Sequence, residues 1–465
     1  MRSSSDRCGS PSLLLLRPAL VVSAISILLA CAQPRPDIVL VTVDTARADR
    51  FGFMGDANGL TPTADALARE ATVFENCVAP IGTTVPSHAS LLTGLHPRTH
   101  GVRSNGARLP REFRTLAEIL GEHGYHTGAF VSLGPMVTPG ALDQGFDSVD
   151  APDPAHSQAW RRGSLTIHAA ERWLEVVSRE HRRPFFAWVH LYEPHSPYRP
   201  TAHSREALRH SASAFAAGIS VPLFGLGLWM RSPEDLAAVQ TLYDGQLQEA
   251  DRLLGELLDS LKALGLLSNA VVVVAADHGQ ALGDHGHAGH GEALWQSVLH
   301  VPLLIWDGRS RTPRRVRERV GLVDLHPTLL ELAGLAAPAA TEGRSLAPAL
   351  RGEPLAMRSY YAEIKRRRGP ASRDKTFFAK EPSPYDVAAF RGRFKFMHGD
   401  DASALFDLDS DSGEMRPLVR TQAPEAYDQL SRIASRYADS EPATGPPAKI
   451  PESVAEGLRA LGYAD

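Results

Sequence analysis

The chain has 465 residues, a formal net charge of -4, 43% hydrophobic residues and three cysteines. Its ordinary apolar content and 22% charged residues exclude a disordered, collagen-like or coiled-coil protein. Its slightly acidic balance argues against nucleic-acid binding, which needs a dense basic face. Three cysteines are too few for a disulfide scaffold or a four-cysteine zinc site. The composition favours a large globular enzyme.

The first 36 residues predict a removable leader and a lipid anchor. Three arginines precede an apolar run over 19–30 that is too short to span a bilayer. The run ends in the letters LLAC, which resemble a bacterial lipoprotein box with Cys31 as the first mature residue. We expect a signal peptide over 1–30, a tether over 31–36 and lipid on Cys31, which would hold the protein at a membrane surface of the bacterial cell envelope. A plain secretory signal with an incidental cysteine is the alternative.

Three β-branched or aromatic apolar runs predict buried strands, and helical patterns lie between them. The predicted strands cover 37–43, 185–191 and 270–276, and the main predicted helices cover 116–123, 165–180 and 235–265. This alternation predicts an α/β fold with a large, mostly parallel sheet between helices. In such sheets the ligand site lies at the carboxyl ends of the strands.

We expect one large catalytic domain followed by a small one. The predicted catalytic domain covers 37–355 and includes a variable insertion over 201–235. A C-terminal subdomain over 356–420 would hold two antiparallel strands, at 387–398 and 404–408. The remaining 421–465 predict a helical tail whose last helix covers 451–461.

Thr84 is the candidate nucleophile. Pro86 and the residues after it predict a helix start, with Thr84 at or just before the N-cap. A hydroxyl there lies near unpaired backbone N–H groups, which stabilise an alkoxide and bind a tetrahedral oxyanion. Taken alone, the pattern is more typical of a plain threonine cap.

Potential metal ligands follow all three predicted strands. Asp44, Asp277 and His278 offer carboxylate oxygens and an imidazole, a set that suits Zn²⁺ when Thr84 completes it. His195 and His290 are candidates for a second metal, for protonating a leaving group or for holding an anionic substrate. Each residue alone has a structural explanation, but their coincidence at one sheet edge favours an active site.

Several motifs in order resemble the sulfatase family of the alkaline-phosphatase superfamily. The similarity covers about 36–420 and includes the segments 43–49, 85–94, 243–251, 276–279, 301–303, 323–328 and 405–414. It implies a large, mostly parallel sheet sandwiched by helices, with a small C-terminal antiparallel sheet. It also implies a metal-dependent ester hydrolase, with Ca²⁺ as the metal of true sulfatases.

The nucleophile motif departs from that family. Sulfatases oxidise a Cys or Ser in a C/S-x-P-S-R motif to formylglycine, whereas this chain has Thr84 and, in place of the arginine, His88. Oxidising a threonine carbinol gives only a ketone, so formylglycine is excluded here. The motif instead resembles that of nucleotide pyrophosphatase/phosphodiesterases, and the Asp, Thr, Asp, His set is similar to that of zinc phosphoethanolamine transferases. Both resemblances imply direct attack by threonine.

The sulfate-binding set of the family is incomplete as well, because its lysine and histidine after Gly-Tyr-x-Thr are missing. His88, His100, Arg103 and Asn105 are the candidates for contacting substrate in their place.

The sequence therefore predicts a metal-dependent hydrolase of anionic esters, with phosphoesters favoured over sulfate esters and Zn²⁺ favoured over Ca²⁺. The expected partners are a small anionic ester, or a sulfated or phosphorylated glycan or lipid, and no nucleic acid. Two alternatives stay open. One is a phosphoethanolamine-type transferase acting on an envelope glycan or lipid, and the other is an inactive, sulfatase-like binding lipoprotein.

Overall fold

The central feature of the computed structural model is a large sheet flanked by helices. Its strands in chain order are β1 (Asp37–Val43), β2 (Thr72–Phe74), β3 (Cys77–Val78), β4 (His126–Val131), β5 (Ser148–Asp150), β6 (Phe185–Leu191), β7 (Ala270–Ala276), β8 (Ala281–Leu282), β9 (Ala288–Gly289), β10 (His300–Val301), β11 (Leu303–Asp307), β12 (Arg314–Val316), β13 (Val320–Gly321), β14 (Ser359–Glu363), β15 (Val387–Arg391), β16 (Phe394–His398) and β17 (Ser403–Asp407). Eight of them form the main sheet, in the order β12-β2-β11-β7-β1-β6-β4-β5. The five strands from β7 to β5 run parallel to their neighbours, while β11 runs antiparallel to β7 and β2.

The described residues form eleven α-helices, and helices cover both faces of this sheet. In chain order they are α1 (Pro62–Ala68), α2 (Thr84–Thr93), α3 (Pro97–His100), α4 (Leu116–Glu122), α5 (Gly163–Ser178), α6 (Ala202–Ala207), α7 (Pro233–Ala263), α8 (Gln296–Leu299), α9 (Leu325–Leu332), α10 (Ala347–Leu350) and α11 (Pro424–Asp439). Successive side chains of a strand point to opposite faces. On β6, Phe185 contacts Trp173 of α5, whereas Trp188 contacts His88 of α2. Helices α2 and α5 therefore cover opposite faces, which confirms the predicted α/β sandwich.

The structure describes residues 35–153, 159–179, 183–199, 201–209, 211, 232–291, 293–364, 385–400 and 402–443. The predicted leader, Cys31, most of the predicted insertion and the predicted helix over 451–461 lie outside these residues. Within them, none of the helices is long and apolar enough to cross a membrane.

The small C-terminal sheet is antiparallel, in the order β14-β15-β16-β17. The expectation of one strand over 387–398 was wrong, because this segment is a hairpin formed by β15 and β16. Gly392 adopts a φ of 54°, and it begins the two-residue turn between Arg391 and Phe394. Turns with a positive φ at this position match the twist of paired strands and favour glycine.

The small sheet is covered on both faces. Val387, Ala389 and Phe396 pack against Leu430 and Ala434 of α11, which lies in the segment predicted as a helical tail. The opposite face packs against side chains from the segment around α8; its apolar residues are Ala388, Phe390, Met397 and Phe406. Both faces are apolar because consecutive residues of the strands are apolar and point to opposite faces, so the subdomain is bound to the main domain by its core.

A buried ion pair within the subdomain forms hydrogen bonds to the backbone of the main domain. Lys395 of β16 is fully buried, and its ammonium donates to Glu414 and to the carbonyl of Leu294. Glu414 also accepts from the backbone N–H of Gln296 at 2.6 Å. Since both charges are buried, each depends on the other for compensation.

We predict that Lys395→Met destabilises the protein by about 3–5 kcal/mol, because it leaves the Glu414 carboxylate buried without its cation. The matched control is Arg393→Ala, which removes an ion pair with Asp407 from a side chain that is 54% exposed. That change should cost less than about 1 kcal/mol. Urea unfolding measures both, and equal losses in the two variants would contradict the role given to the buried pair.

Candidate active site

Two carboxylates lie side by side at the carboxyl edge of the sheet. Strands β1 and β7 pair in parallel with Val43 opposite Ala276, so Asp44 and Asp277 both follow directly after paired residues. Both side chains are fully buried. Asp277 Oδ1 accepts from the backbone N–H groups of Thr45 and His278 at 3.2 and 2.8 Å. Both oxygens of Asp44 and Oδ2 of Asp277 have no hydrogen-bond partner among the described residues.

His278 adds a nitrogen ligand to this pair. Its Nδ1 lies 2.9 Å from the carbonyl oxygen of Gly279, and a carbonyl only accepts, so Nδ1 carries the proton. Nε2 therefore directs a lone pair at the site, 3.3 Å from Asp277 Oδ2 and 4.0 Å from Asp44 Oδ1. Among the described residues, the ligand atoms of these three side chains lie within 4.8 Å of one another.

The electrostatics of this group fit a divalent cation. Burial raises the pKa of Asp44 well above its usual range. Burial, followed by the charge of Asp44, raises the pKa of Asp277 to about 7. Burial lowers the pKa of His278 to about 4, so its imidazole is neutral. Unpartnered buried carboxylate oxygens facing an imidazole lone pair are the donor set that Zn²⁺ binds in proteins.

Thr84 lies beside this donor set, with Oγ1 3.3 Å from His278 Nε2. The expected cap position was off by one residue, because Thr83 is the N-cap and Thr84 is the first residue of α2. The hydroxyl of Thr84 is thus not used as a cap.

The expected oxyanion site at the start of α2 needs correction. The N–H of Val85 donates to Asn105 Oδ1 at 2.8 Å, and Pro86 has no N–H. These two residues therefore offer no amide to a substrate. The side chain of Asn105 offers one instead, because its buried Nδ2 has no hydrogen-bond partner among the described residues.

His195 and His290 meet next to His278. Their Nε2 atoms are 3.2 Å apart, and the rings of His278 and His290 are centred 4.5 Å apart. The Nδ1 of His290 lies 3.1 Å from the carbonyl oxygen of Gly82, and that of His195 bonds to the carbonyl of Ser196. Both rings therefore turn Nε2 toward each other. Burial lowers the pKa of both, that of His290 to about 3, so both rings are neutral and each Nε2 offers a lone pair.

Three of the four predicted substrate residues are engaged elsewhere. His88 is fully buried beneath Thr84, with each ring nitrogen within hydrogen-bond distance of another group. His100 is also fully buried; its Nδ1 accepts from the N–H of Val102, and its Nε2 lies 2.9 Å from Ser90 Oγ. Arg103 forms an ion pair with the buried Glu363. The fourth residue, Asn105, lies at the start of α2, and its Nδ2 has no hydrogen-bond partner among the described residues.

Sequence reasoning missed His190. It lies on β6 opposite Thr42 of β1, fully buried, with Nε2 3.4 Å from Asp44 Oδ2. Neither ring nitrogen of His190 has a hydrogen-bond partner among the described residues, so Nε2 lies beside the Asp44 carboxylate without a hydrogen bond to it. A histidine inside an otherwise apolar strand that ends at the ligand edge was the available signal.

Comparison with known proteins identifies the family. The Sulfatase family model matches residues 36–335. An ulvan-active sulfatase of Formosa agariphila is 30% identical over 337 residues, which are 67% of this chain and 64% of that protein. Arylsulfatase K of Xenopus laevis is 24% identical over 462 residues, covering 89% of this chain and 84% of that protein.

Solved structures share the fold. A phosphonate monoester hydrolase of Agrobacterium radiobacter superposes with a TM-score of 0.66 at 23% identity, covering 87% of this chain and 95% of that chain. The match to the family model over more than half of its length shows that the chain belongs to the sulfatase family.

We predict that removing divalent cations makes stability depend on the ionisation of the two carboxylates. The folded-state pKa of Asp277, about 7, exceeds the unfolded value of about 3.9. The folded protein therefore holds a proton that the unfolded chain releases, and this carboxyl lowers stability as pH rises from about 4 to 7. Adding Zn²⁺ to chelator-treated protein should raise the melting temperature, more at pH 8 than at pH 5.

Thermal melts of the wild type and of Asp277→Asn, with chelator and with Zn²⁺, measure this effect, because the difference between the two proteins cancels the other titrating groups. The variant should lose most of the stabilisation by Zn²⁺. An equal response to Zn²⁺ in both proteins would contradict the assignment of the site.

Proposed function

We propose that the protein is a metal-dependent hydrolase of anionic esters in which Thr84 is the direct nucleophile. The observation that carries this proposal is the position of Thr84 Oγ1, 3.3 Å from His278 Nε2 and beside the unpartnered oxygens of Asp44 and Asp277. A divalent cation held by Asp44, Asp277 and His278 would lower the pKa of the hydroxyl and neutralise charge on the ester.

In this reaction the Oγ of Thr84 forms a bond to phosphorus while the bond from phosphorus to the ester oxygen breaks. The Thr84 hydroxyl loses its proton and the leaving alcohol takes one up, so no net proton is consumed. Water then cleaves the bond from phosphorus to Thr84 Oγ, which restores the hydroxyl and releases phosphate from a monoester substrate or a phosphomonoester from a diester. The Nδ2 of Asn105 is the candidate donor to a non-bridging oxygen. His195 and His290 close the pocket, and their neutral Nε2 atoms are placed to bind a cation.

Phosphorus is favoured over sulfur for two reasons. Threonine cannot become formylglycine, the group that implies sulfate ester cleavage in the family. In addition, structural neighbours of this fold include phosphonate monoester hydrolases of Agrobacterium radiobacter and Silicibacter pomeroyi. Sulfated glycans stay in the test because relatives include an ulvan-active sulfatase. A small anionic ester, or a phosphorylated or sulfated glycan or lipid, is thus the proposed substrate class.

We also propose Zn²⁺ over Ca²⁺ as the metal, since Ca²⁺ prefers an all-oxygen ligand set and His278 offers nitrogen. The proposed location is the bacterial cell envelope, with a lipid on Cys31 at a membrane surface. Mass analysis of the mature N-terminus tests that location independently of activity.

We predict that Thr84→Ala lowers kcat for phosphodiester and phosphomonoester hydrolysis by at least about 10³-fold, because the attacking oxygen is lost. Thr84→Ser keeps a hydroxyl at the same position and serves as the matched control, with partial activity expected. The assay uses aryl phosphodiester, phosphomonoester and sulfate esters, with elemental analysis of each variant.

Full activity of Thr84→Ala, or indifference of the wild type to a strong chelator, would refute the proposal. Product that forms only when an acceptor alcohol or glycan is added would instead identify a transferase. Folded wild-type protein without bound metal and without turnover of any of the three esters would identify a binding protein.

A further inference from the structure

A row of polar groups lies buried beneath Thr84. The Nε1 of Trp188 on β6 is 3.0 Å from Oγ1 of Thr42 on β1, and the same oxygen is 3.0 Å from Nε2 of His88 on α2. The Nδ1 of His88 then lies 2.8 Å from the backbone carbonyl oxygen of Thr84. All four residues are fully buried.

The chemistry of the two end groups gives these hydrogen bonds a single direction. The indole N–H of Trp188 only donates, so Thr42 Oγ1 accepts from it. The carbonyl of Thr84 only accepts, so His88 Nδ1 carries a proton, and in the neutral imidazole Nε2 is then the acceptor. The hydroxyl of Thr42 therefore donates to His88 Nε2. Every donor in the row finds an acceptor, and His88 is neutral in one tautomer.

This row connects the sheet to the residue that carries the nucleophile. Thr42 lies two residues before Asp44, so it stands on the same strand as a proposed metal ligand. Trp188 and His88 also pack against each other, with ring centres 5.3 Å apart. Because interior hydrogen bonds are strong and costly to leave unmade, the row restrains the backbone of Thr84 relative to β1.

We propose that Trp188, Thr42 and His88 are positioning residues that hold the first turn of α2 so that Thr84 Oγ1 faces His278 and the two carboxylates. The proposal rests on the proposed role of Thr84 as the nucleophile. It also gives a reason for the departure from the sulfatase motif at His88. An arginine has no nitrogen that accepts a hydrogen bond, so at position 88 it could not accept the hydrogen bond that the Thr42 hydroxyl donates.

The test uses Thr42→Val, which removes the hydroxyl and keeps the shape of the side chain. We expect kcat to fall by at least about tenfold with KM and metal content within about twofold, since misplacing a reacting group lowers the rate of attack. Thr42→Ser restores the hydroxyl and should recover most of kcat. Thr72→Val, at a buried threonine on strand β2, controls for the loss of a buried hydroxyl and should leave kcat unchanged.

A second readout does not depend on activity. In ¹⁵N-histidine-labelled protein, assigned with a His88→Gln variant, His88 should show a protonated Nδ1 and an unprotonated Nε2. The Nε2 resonance should shift in Thr42→Val and return in Thr42→Ser. Should Thr42→Val prove unstable, Trp188→Phe replaces it. This variant removes the N–H that donates to Thr42 Oγ1, and the His88 Nε2 resonance is again the quantity measured.

Two results overturn the proposal: wild-type kcat in Thr42→Val, or protonation of His88 at Nε2 in the wild type. Either result leaves the proposed function standing as long as Thr84→Ala is inactive. Full activity in Thr84→Ala refutes the proposed function whatever the Thr42 variants show.

Discussion

The structure depends on the placement of two carboxylates that are buried side by side, with no compensating cationic side chain among the residues that the structure describes. Asp44 and Asp277 are brought together by the register of β1 and β7. Their three unpartnered oxygens would be costly to bury if nothing bound them. A bound cation would compensate these oxygens. The neutral tautomer of His278 directs the lone pair of Nε2 toward the same two carboxylates. The fold thus builds the site from strand ends, as open α/β sheets do.

The site differs from the sulfatase motif it resembles at two linked positions. Thr84 replaces the residue that sulfatases oxidise, and His88 replaces the arginine four residues later. In the proposed reaction the threonine attacks without prior oxidation, so its hydroxyl has to be oriented by the surrounding residues. The buried row from Trp188 through Thr42 and His88 supplies that restraint. The two substitutions are therefore explained together, by direct attack from a fixed hydroxyl.

Much of this arrangement could be predicted from the sequence. The strands that carry Asp44 and Asp277 are continuous apolar runs, which are recognisable because both faces of the sheet are covered. Pro86 predicts the start of α2, and the predicted cap position was off by one residue. Asp277 and His278 directly follow a buried strand, which predicts that they lie at the edge of the sheet where ligands bind.

Two of the misses, Arg103 and His190, came from contacts between distant parts of the chain. Arg103 pairs with Glu363, 260 residues away, so a loop arginine that looked exposed is occupied. His190 was overlooked because its direction depends on the register between β6 and β1, which a single sequence does not show. The hairpin at Gly392 was read as one strand because its two-residue turn barely interrupts the apolar pattern.

The central claim is that hydrolysis proceeds through a covalent intermediate on Thr84, and the stereochemistry at phosphorus tests it most directly. One stereoisomer of an aryl phosphorothioate diester, of known configuration at phosphorus, is hydrolysed in ¹⁸O-labelled water. The configuration at phosphorus in the product is then determined. Two successive in-line displacements, the first by Thr84 and the second by water, predict net retention. Net inversion would show direct attack by water and would contradict the account.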